Sequence, residues 1–427
     1  MSTRTHDERI MEAVLEAGRP SAITFIAEPE PEPLFCPMIS ADDHLLEPPT
    51  LFEGRLPRRF ADQAPHVVTD DAGLEWWHFE AARIPNLMLN GASGREMSEW
   101  GMIGTRYDEM RRGVWDPVAR LHDMDLTGVW GSLCFPSTLV GFAGTRFATM
   151  TDPELGYACL QAYNDWMLEE WVGADPERFI PCQLTWLADA ELAANEVRRN
   201  AARGVRAVSF SENPEGLGFP NIYTDFWDPF FAACEETGTV VNLHVGSSGT
   251  TREPCTSSPM PVLFALFPES ALEALMDWVF ARIPIRFPNL QIVLSEGGVS
   301  WVPMAMERFT RAHRQRGSAV NDWSDDLPSP MELVRRNFHF TSIEDPSAFR
   351  VLDLIGEDKV MCETDFPHYD STWPNSQAMI RGQLRELAPA TIRKVCFENA
   401  AALYGRSHPP EDLFARSEVA QRMSLTG

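Results

Sequence analysis

From Met38 onward the chain alternates short apolar runs with amphipathic stretches of helical period, and this alternation narrows the fold more than any other feature. The strand-like runs are PMISADDH (37–44), GVWGSLCFP (128–136), RFIPCQLTW (178–186), GVRAVSF (204–210), GTVVNLHVG (238–246), NLQIVLSEGG (289–298), RNFHFTSIE (336–344) and KVMCETDFPH (359–368). Between them lie helical patterns such as LGYACLQAYNDWMLEEW, AELAANEVRRNAARG and DPFFAACEETG. Strands that alternate with helices pair in parallel and are covered by those helices. About eight such units in 427 residues predict an α/β fold of the (β/α)8, or TIM, barrel type. The competing architecture is an open doubly wound sheet, but no GxGxxG or GxxxxGK[ST] loop follows an early strand.

The remaining segments fall outside that rhythm. Residues 1–37 read as an N-terminal arm: an amphipathic helix around Glu8 to Ala17, then the Pro/Glu linker AEPEPEPLFCP, which favours extended backbone. The barrel is expected over 38–410, with 411–427 as a C-terminal tail. Residues 45–115 are too long for an ordinary strand-to-helix loop and predict an insertion after strand one, over the barrel mouth. Within it, Trp76-Trp77-His78 reads either as a cap on the site or, more simply, as an exposed β-hairpin.

A formal charge of −26 argues against nucleic acid or an anionic membrane as partner. The N-terminus lacks a basic start and apolar run, and no stretch approaches the roughly 18 apolar residues of a membrane span. The eight cysteines are scattered without a CxxC pair, which suits reduced, buried thiols. These features predict a cytoplasmic protein acting on a small molecule. Relatives of this fold often pair, and a homodimer is expected, with the arm in reach of a partner.

Barrel enzymes place functional groups at the C-terminal ends of strands. Four strand candidates here end in residues that ligate hard or borderline metals. Strand one ends in Asp42-Asp43-His44; side chains alternate along a strand, so Asp42 and His44 share one face and Asp43 takes the other. Strand five ends in His244, an imidazole that is costly to bury unless satisfied. Strand six ends before Glu296-Gly297-Gly298, and a glutamate there needs a cation or an arginine nearby. Strand eight carries Asp365, with His368 in the same loop and Glu363 one layer deeper. Each alone has an ordinary explanation: a turn cap, a core histidine, a solvated carboxylate. Jointly they point to one metal site.

At these residues the sequence resembles the amidohydrolase-related family that includes aminocarboxymuconate-semialdehyde decarboxylase and γ-resorcylate decarboxylase. The matching elements are ISADDHLLEPP, RLHDMDLTGVWGSLCFPS, AYNDWMLEEWVGADPERF, VNLHVG, RFPNLQIVLSEGGVSWVPMAMER, ETDFPHYDSTWPNS and FENAAALYG, in order over roughly 38–406. The resemblance implies a barrel of the metal-dependent hydrolase type. It lays the family's strand-one HxH motif on Asp42 and His44, its strand-five histidine ligand on His244 and its strand-eight aspartate on Asp365. Two departures stand out. Asp42 replaces the first histidine, as in some decarboxylase relatives, and Glu296 stands where the family often has a water-orienting histidine.

Three carboxylates (Asp42, Glu296, Asp365) and three imidazoles (His44, His244, His368) make up the candidate ligand set. It suits Zn, Mn or Fe, and it exceeds what one ion with an open position needs, so a dinuclear iron site is a second expectation. The resemblance implies hydrolysis or non-oxidative decarboxylation of a small organic acid. Asp365 is then ligand and proton acceptor, and Glu296 or His368 the second acid/base group. Some relatives are nonheme diiron monooxygenases of natural-product biosynthesis, which gives an oxygenase alternative. The 13 Trp, 18 Met and 25 Phe would then line a pocket for a bulky acyl substrate, although ordinary core is the simpler reading. A non-catalytic binding barrel is the third. Phe135, Ser137, Trp186, Phe210, Trp373 and Asn375 lie near strand ends and are candidate pocket residues.

Overall fold

The chain's computed structural model describes residues 23–101, 103–137, 139–250, 252, 254–255, 257–318 and 321–426. The helix expected around Glu8 to Ala17 lies outside them. In chain order the strands are β1 (Met38–His44), β2 (His66–Thr69), β3 (Glu75–Phe79), β4 (Ala82–Pro85), β5 (Val129–Phe135), β6 (Phe179–Ile180), β7 (Cys182–Leu184), β8 (Ala207–Phe210), β9 (Val240–His244), β10 (Ile292–Ser295), β11 (Phe338–Ser342) and β12 (Val360–Cys362).

All but β2–β4 pair in parallel, in the orders β1-β5-β6 and β12-β11-β10-β9-β8-β7. The expected single closed ladder is therefore interrupted. The break between β6 and β7 falls at Pro181, which has no N–H to donate to a ladder. The other break lies between β1 and β12, where bonding moves past the end of β12. Asp365 N–H donates to the Asp42 carbonyl at 3.0 Å and His44 N–H to the Phe366 carbonyl at 2.7 Å. Parallel strands buried on both faces should read as continuous apolar runs, and every residue of β1, β7, β8, β9, β10, β11 and β12 is buried. The helices that cover them begin where the sequence supplies caps. Asp116, Asp152 and Asp189 each accept two backbone N–H bonds, starting the helices Pro117–Leu126, Pro153–Trp166 and Ala190–Ala201.

Between β1 and β5, β2–β4 form a three-stranded antiparallel sheet. Its Trp76 and Trp77 are buried, so the exposed hairpin expected there is not found. Trp77 packs edge-on to Phe52 and donates from Nε1 to the Tyr107 hydroxyl at 2.9 Å. The same stretch bonds to the loop after β12: Ser93 N–H reaches the Pro367 carbonyl at 3.0 Å, and Tyr369 N–H the Leu89 carbonyl at 3.1 Å. No helix among the described residues is long and apolar enough to cross a membrane.

The side of β1 opposite Asp42 carries an anchor. Asp43 is buried and its Oδ1 accepts from the Ser40 hydroxyl at 2.9 Å, the Thr364 hydroxyl at 2.5 Å and Phe366 N–H at 3.1 Å; its Oδ2 accepts from Ser132. One carboxylate thus ties β1 to β5 and to the loop after β12. Removing a buried charged acceptor strands its donors at about 1–3 kcal/mol each before relaxation. Asp43→Ala should therefore lower the unfolding free energy by about 3 kcal/mol or more. A urea-unfolding midpoint close to that of the parent chain would show that this network does not hold the strands together.

Candidate metal centre

The parallel register brings chemically similar ends to one level. His44 is the last residue of β1 and pairs with Phe135; His244 is the last residue of β9 and pairs with Ser295. Glu296 follows β10 directly, and Asp365 lies three residues past β12, further out than the sequence pattern suggests. Both adopt left-handed backbone, with φ of 60° at Glu296 and 49° at Asp365. Such strain in a non-glycine residue persists only where the surroundings enforce it. After Glu296 the two glycines are structurally required: a Cβ on Gly297 would collide with Ala271, and Gly298 has a φ of 63°. Glu296 N–H donates to the Thr341 hydroxyl at 3.0 Å, and a Glu363 oxygen lies 3.4 Å from the same nitrogen, which accounts for the deeper glutamate.

The six residues singled out from the sequence converge. His44 Nε2 lies 3.0 Å from His244 Nε2, 3.5 Å from Asp42 Oδ1 and 3.3 Å from Asp365 Oδ1. His244 Nε2 lies 3.5 Å from Asp42 Oδ1 and 3.3 Å from Glu296 Oε2. His368 Nδ1 is 3.1 Å from Asp365 Oδ1, and its ring stacks on His44 with centroids 3.7 Å apart. Three overlapping groups result: Asp42–His44–His244, His44–Asp365–His368, and Glu296–Asp365–His368–Asp370. Asp370 was missed from the sequence. Its signal was the continuing run of ligand-type residues Glu363, Asp365, His368 and Asp370 through one loop.

The protonation pattern tests whether a cation fits. His244 Nδ1 faces the Val245 carbonyl at 2.7 Å, and His44 Nδ1 faces the Pro136 carbonyl at 3.4 Å. A carbonyl only accepts, so each Nδ1 carries the proton and each Nε2 a lone pair. Two lone pairs aimed at each other across 3.0 Å repel unless a cation lies between them. That spacing is what two nitrogens each about 2.1 Å from one ion subtend at about a right angle. Both oxygens of Asp42 and both of Asp365 are buried without a hydrogen-bond partner of normal geometry. Orphaned buried acceptors of this kind are rare in proteins. The residues fit a divalent cation.

Burial dominates the electrostatics. It pushes the carboxyls of Asp42, Glu296, Asp365 and Asp370 well above the usual range, and repulsion among these neighbours adds to the shift. It also lowers the imidazoles, His44 well below its ordinary value and His244 and His368 to about 4. Around the imidazoles stand aromatic walls. Phe142 stacks on His244 with centroids 4.3 Å apart and Phe135 meets it edge-on at 4.9 Å. Phe142 comes from the loop after β5 and had no sequence signal. Of the other pocket candidates, Phe210 packs among Trp227, Phe230, Phe231 and Trp278, and Trp186 packs on Tyr157. Ser137 bonds to the Glu47 carboxylate, Trp373 packs against Phe366 and Arg111, and Asn375 N–H donates to the Thr372 carbonyl.

Known proteins share this framework. The sequence matches the amidohydrolase family over residues 63–406. The 2-amino-3-carboxymuconate-6-semialdehyde decarboxylase of Dictyostelium discoideum is 25% identical over 272 residues, 62% of this chain and 70% of that protein. An amidohydrolase from Mycobacterium avium subsp. paratuberculosis superposes with a TM-score of 0.68 at 21% identity, over 87% of this chain and 99% of that one. A 5-carboxyvanillate decarboxylase from Novosphingobium aromaticivorans, complexed with manganese and 4-hydroxy-3-methoxy-5-nitrobenzoic acid, superposes with a TM-score of 0.60 at 16% identity. That match covers 90% of this chain and all of the other. At these identities the two structures speak for a shared fold.

The shifted groups set the pH dependence of metal binding. In the metal-free protein burial raises the carboxyls and lowers the imidazoles, so a cation competes with protons chiefly at the carboxyls. Affinity should rise with pH, about tenfold per pH unit for each proton displaced. Calorimetric titration with manganese(II) at pH 7, in two buffers of different ionisation enthalpy, should give different heats. Equal heats would mean that the carboxyls are already ionised.

Proposed function

The chain belongs to the amidohydrolase family, and from that premise we propose that it is a metal-dependent enzyme that removes carbon dioxide, without oxidation, from a small organic acid. One observation carries the proposal: two bare imidazole nitrogens face each other beside the orphaned oxygens of Asp42 and Asp365. The decarboxylase names of the relatives supply the reaction class. In this reading the two interrupted sheets act as one (β/α)8 barrel over 38–410, with 45–115 lying over the end where the site gathers.

Asp42, His44, His244 and Asp365 would hold the cation, which when bound polarises the substrate's carboxylate or an adjacent oxygen. Loss of carbon dioxide breaks a C–C bond, leaves its electron pair on carbon and requires a proton there. Glu296 or His368 is the donor to that carbon, and Asp365 serves as ligand and proton acceptor. Solvent then restores the proton on that donor. The aromatic walls at Phe135 and Phe142 exclude water from one side and favour a flat, conjugated substrate. Imidazoles mixed with several carboxylates suit manganese or iron better than zinc.

A second reading rests on charge. Four carboxylates, Asp42, Glu296, Asp365 and Asp370, carry −4 when ionised, and one divalent ion returns +2. A site left at −2 repels an anionic substrate, so either protons or a second cation must make up the difference. Glu296, His368 and Asp370 would hold a second ion. A dinuclear iron oxygenase would be built on such a pair, and the ligand surplus is its whole support.

Metal analysis of anaerobically purified protein separates these readings. One manganese or zinc per chain, with carbon dioxide released from ortho-hydroxylated aromatic acids, supports decarboxylation. Two irons per chain with oxygen uptake would replace it. His244→Ala should lose the metal and activity while the fold persists, and full occupancy in that variant removes His244 from the ligand set. Glu296→Gln should lower the count by about one only if Glu296 holds a second ion.

A further inference from the structure

Outside the ligand set, Glu212 stands out. It lies two residues past β8, buried, and one of its oxygens accepts the Gly246 N–H at 3.1 Å. Gly246 N–H belongs to the same peptide group as the Val245 carbonyl, and that carbonyl faces His244 Nδ1 at 2.7 Å. A chain therefore runs from carboxylate through one peptide unit to the imidazole. We propose that Glu212 is a positioning residue for His244, acting through the Val245–Gly246 peptide; the inference rests on reading His244 as a metal ligand.

The physical case is polarisation. A carboxylate on the N–H end of a peptide makes its oxygen a stronger acceptor, because hydrogen bonds in series reinforce one another at low dielectric. The stronger acceptor holds the proton on Nδ1 and leaves the Nε2 lone pair aimed at His44, Asp42 and Glu296. Carboxylates placed directly on a ligand histidine do the same work; here a peptide is interposed. Glu212 is itself held firmly. Its N–H donates to the Ser247 hydroxyl at 2.9 Å, and its carbonyl accepts from Trp278 Nε1 at 2.9 Å. The Ser211 hydroxyl donates to the Ser247 carbonyl at 3.0 Å. These bonds already fasten the end of β8 to the loop after β9 without a charge. Burial raises the Glu212 carboxyl to about 7, while bonds from Ser248 and Gly246 and the nearby His244 favour its charged form; the Gly246 bond is the one that leads on to His244. Gly246, with a φ of 85°, adopts the left-handed turn that presents its N–H to Glu212.

The test compares Glu212→Ala, Glu212→Gln, Ser247→Ala and His244→Ala in the full chain. Manganese(II) affinity is read by calorimetry. The ring tautomer of His244 is read in 15N-histidine spectra of metal-free protein, its signals identified by their loss in His244→Ala. Glu212→Ala should weaken manganese binding about 10- to 100-fold and mix the His244 tautomers. Ser247→Ala, which loosens the same loop but leaves the peptide relay intact, should change neither by more than about twofold. Glu212→Gln keeps the volume and an acceptor, so it guards against misfolding and should recover the Nδ1–H tautomer. Equal weakening in Glu212→Ala and Ser247→Ala with an unchanged tautomer would reduce Glu212 to a loop fastener and overturn the proposal. Parent-like binding in Glu212→Ala but not in His244→Ala would overturn it while leaving His244 a ligand. Parent-like binding in His244→Ala would remove its premise.

Discussion

Two imidazole nitrogens that both lack a proton, held 3.0 Å apart in a buried site, constrain the rest of this structure. Neither can donate to the other, because each ring has already committed its proton to a backbone carbonyl. The repulsion is fixed by the backbone, since both histidines end strands whose register leaves little freedom. Around them the protein has gathered buried carboxyls, and the oxygens of Asp42 and Asp365 lack a well-formed hydrogen bond. Each group alone is unfavourable where it stands; together they are complementary to one kind of visitor, a small ion of high positive charge.

The backbone shares in this arrangement. Glu296 and Asp365 both turn through left-handed conformations just past their strands, and the glycines after Glu296 are dictated by a close helix and a tight bend. β1 does two jobs at once: Asp42 and His44 face the ion site while Asp43 fastens the strand to its neighbours. The strand that bears Asp42 and His44 is thus braced by a carboxylate next to both.

Much of this was legible in the sequence because it follows from period. Alternation placed Asp42 and His44 on one face and Asp43 on the other, and strand-helix rhythm gave parallel pairing. The ends of VVNLH and IVLSE marked His244 and Glu296 through the abrupt change from apolar to ligand type. What period does not encode was lost. Pro181 divides one predicted strand into β6 and β7. The outward placement of Asp365 depends on hydrogen bonds to β1, a partner far away in the chain. Phe142 and Glu212 reach His244 from loops, and no local pattern marks a loop residue's destination. The tryptophan pair was misjudged as exposed for the same reason: whether a hairpin is covered depends on Phe52 and Tyr107, not on its own spacing.

The two backbone hydrogen bonds joining Leu89 and Ser93 to the loop of Asp365 and His368 have a practical meaning. The segment between β1 and β5 and the loop that carries Asp365 and His368 are one mechanical piece. Grafting that segment from another protein would also shift Asp365 and His368. The two regions are therefore coupled in position, and engineering of either has to allow for the other.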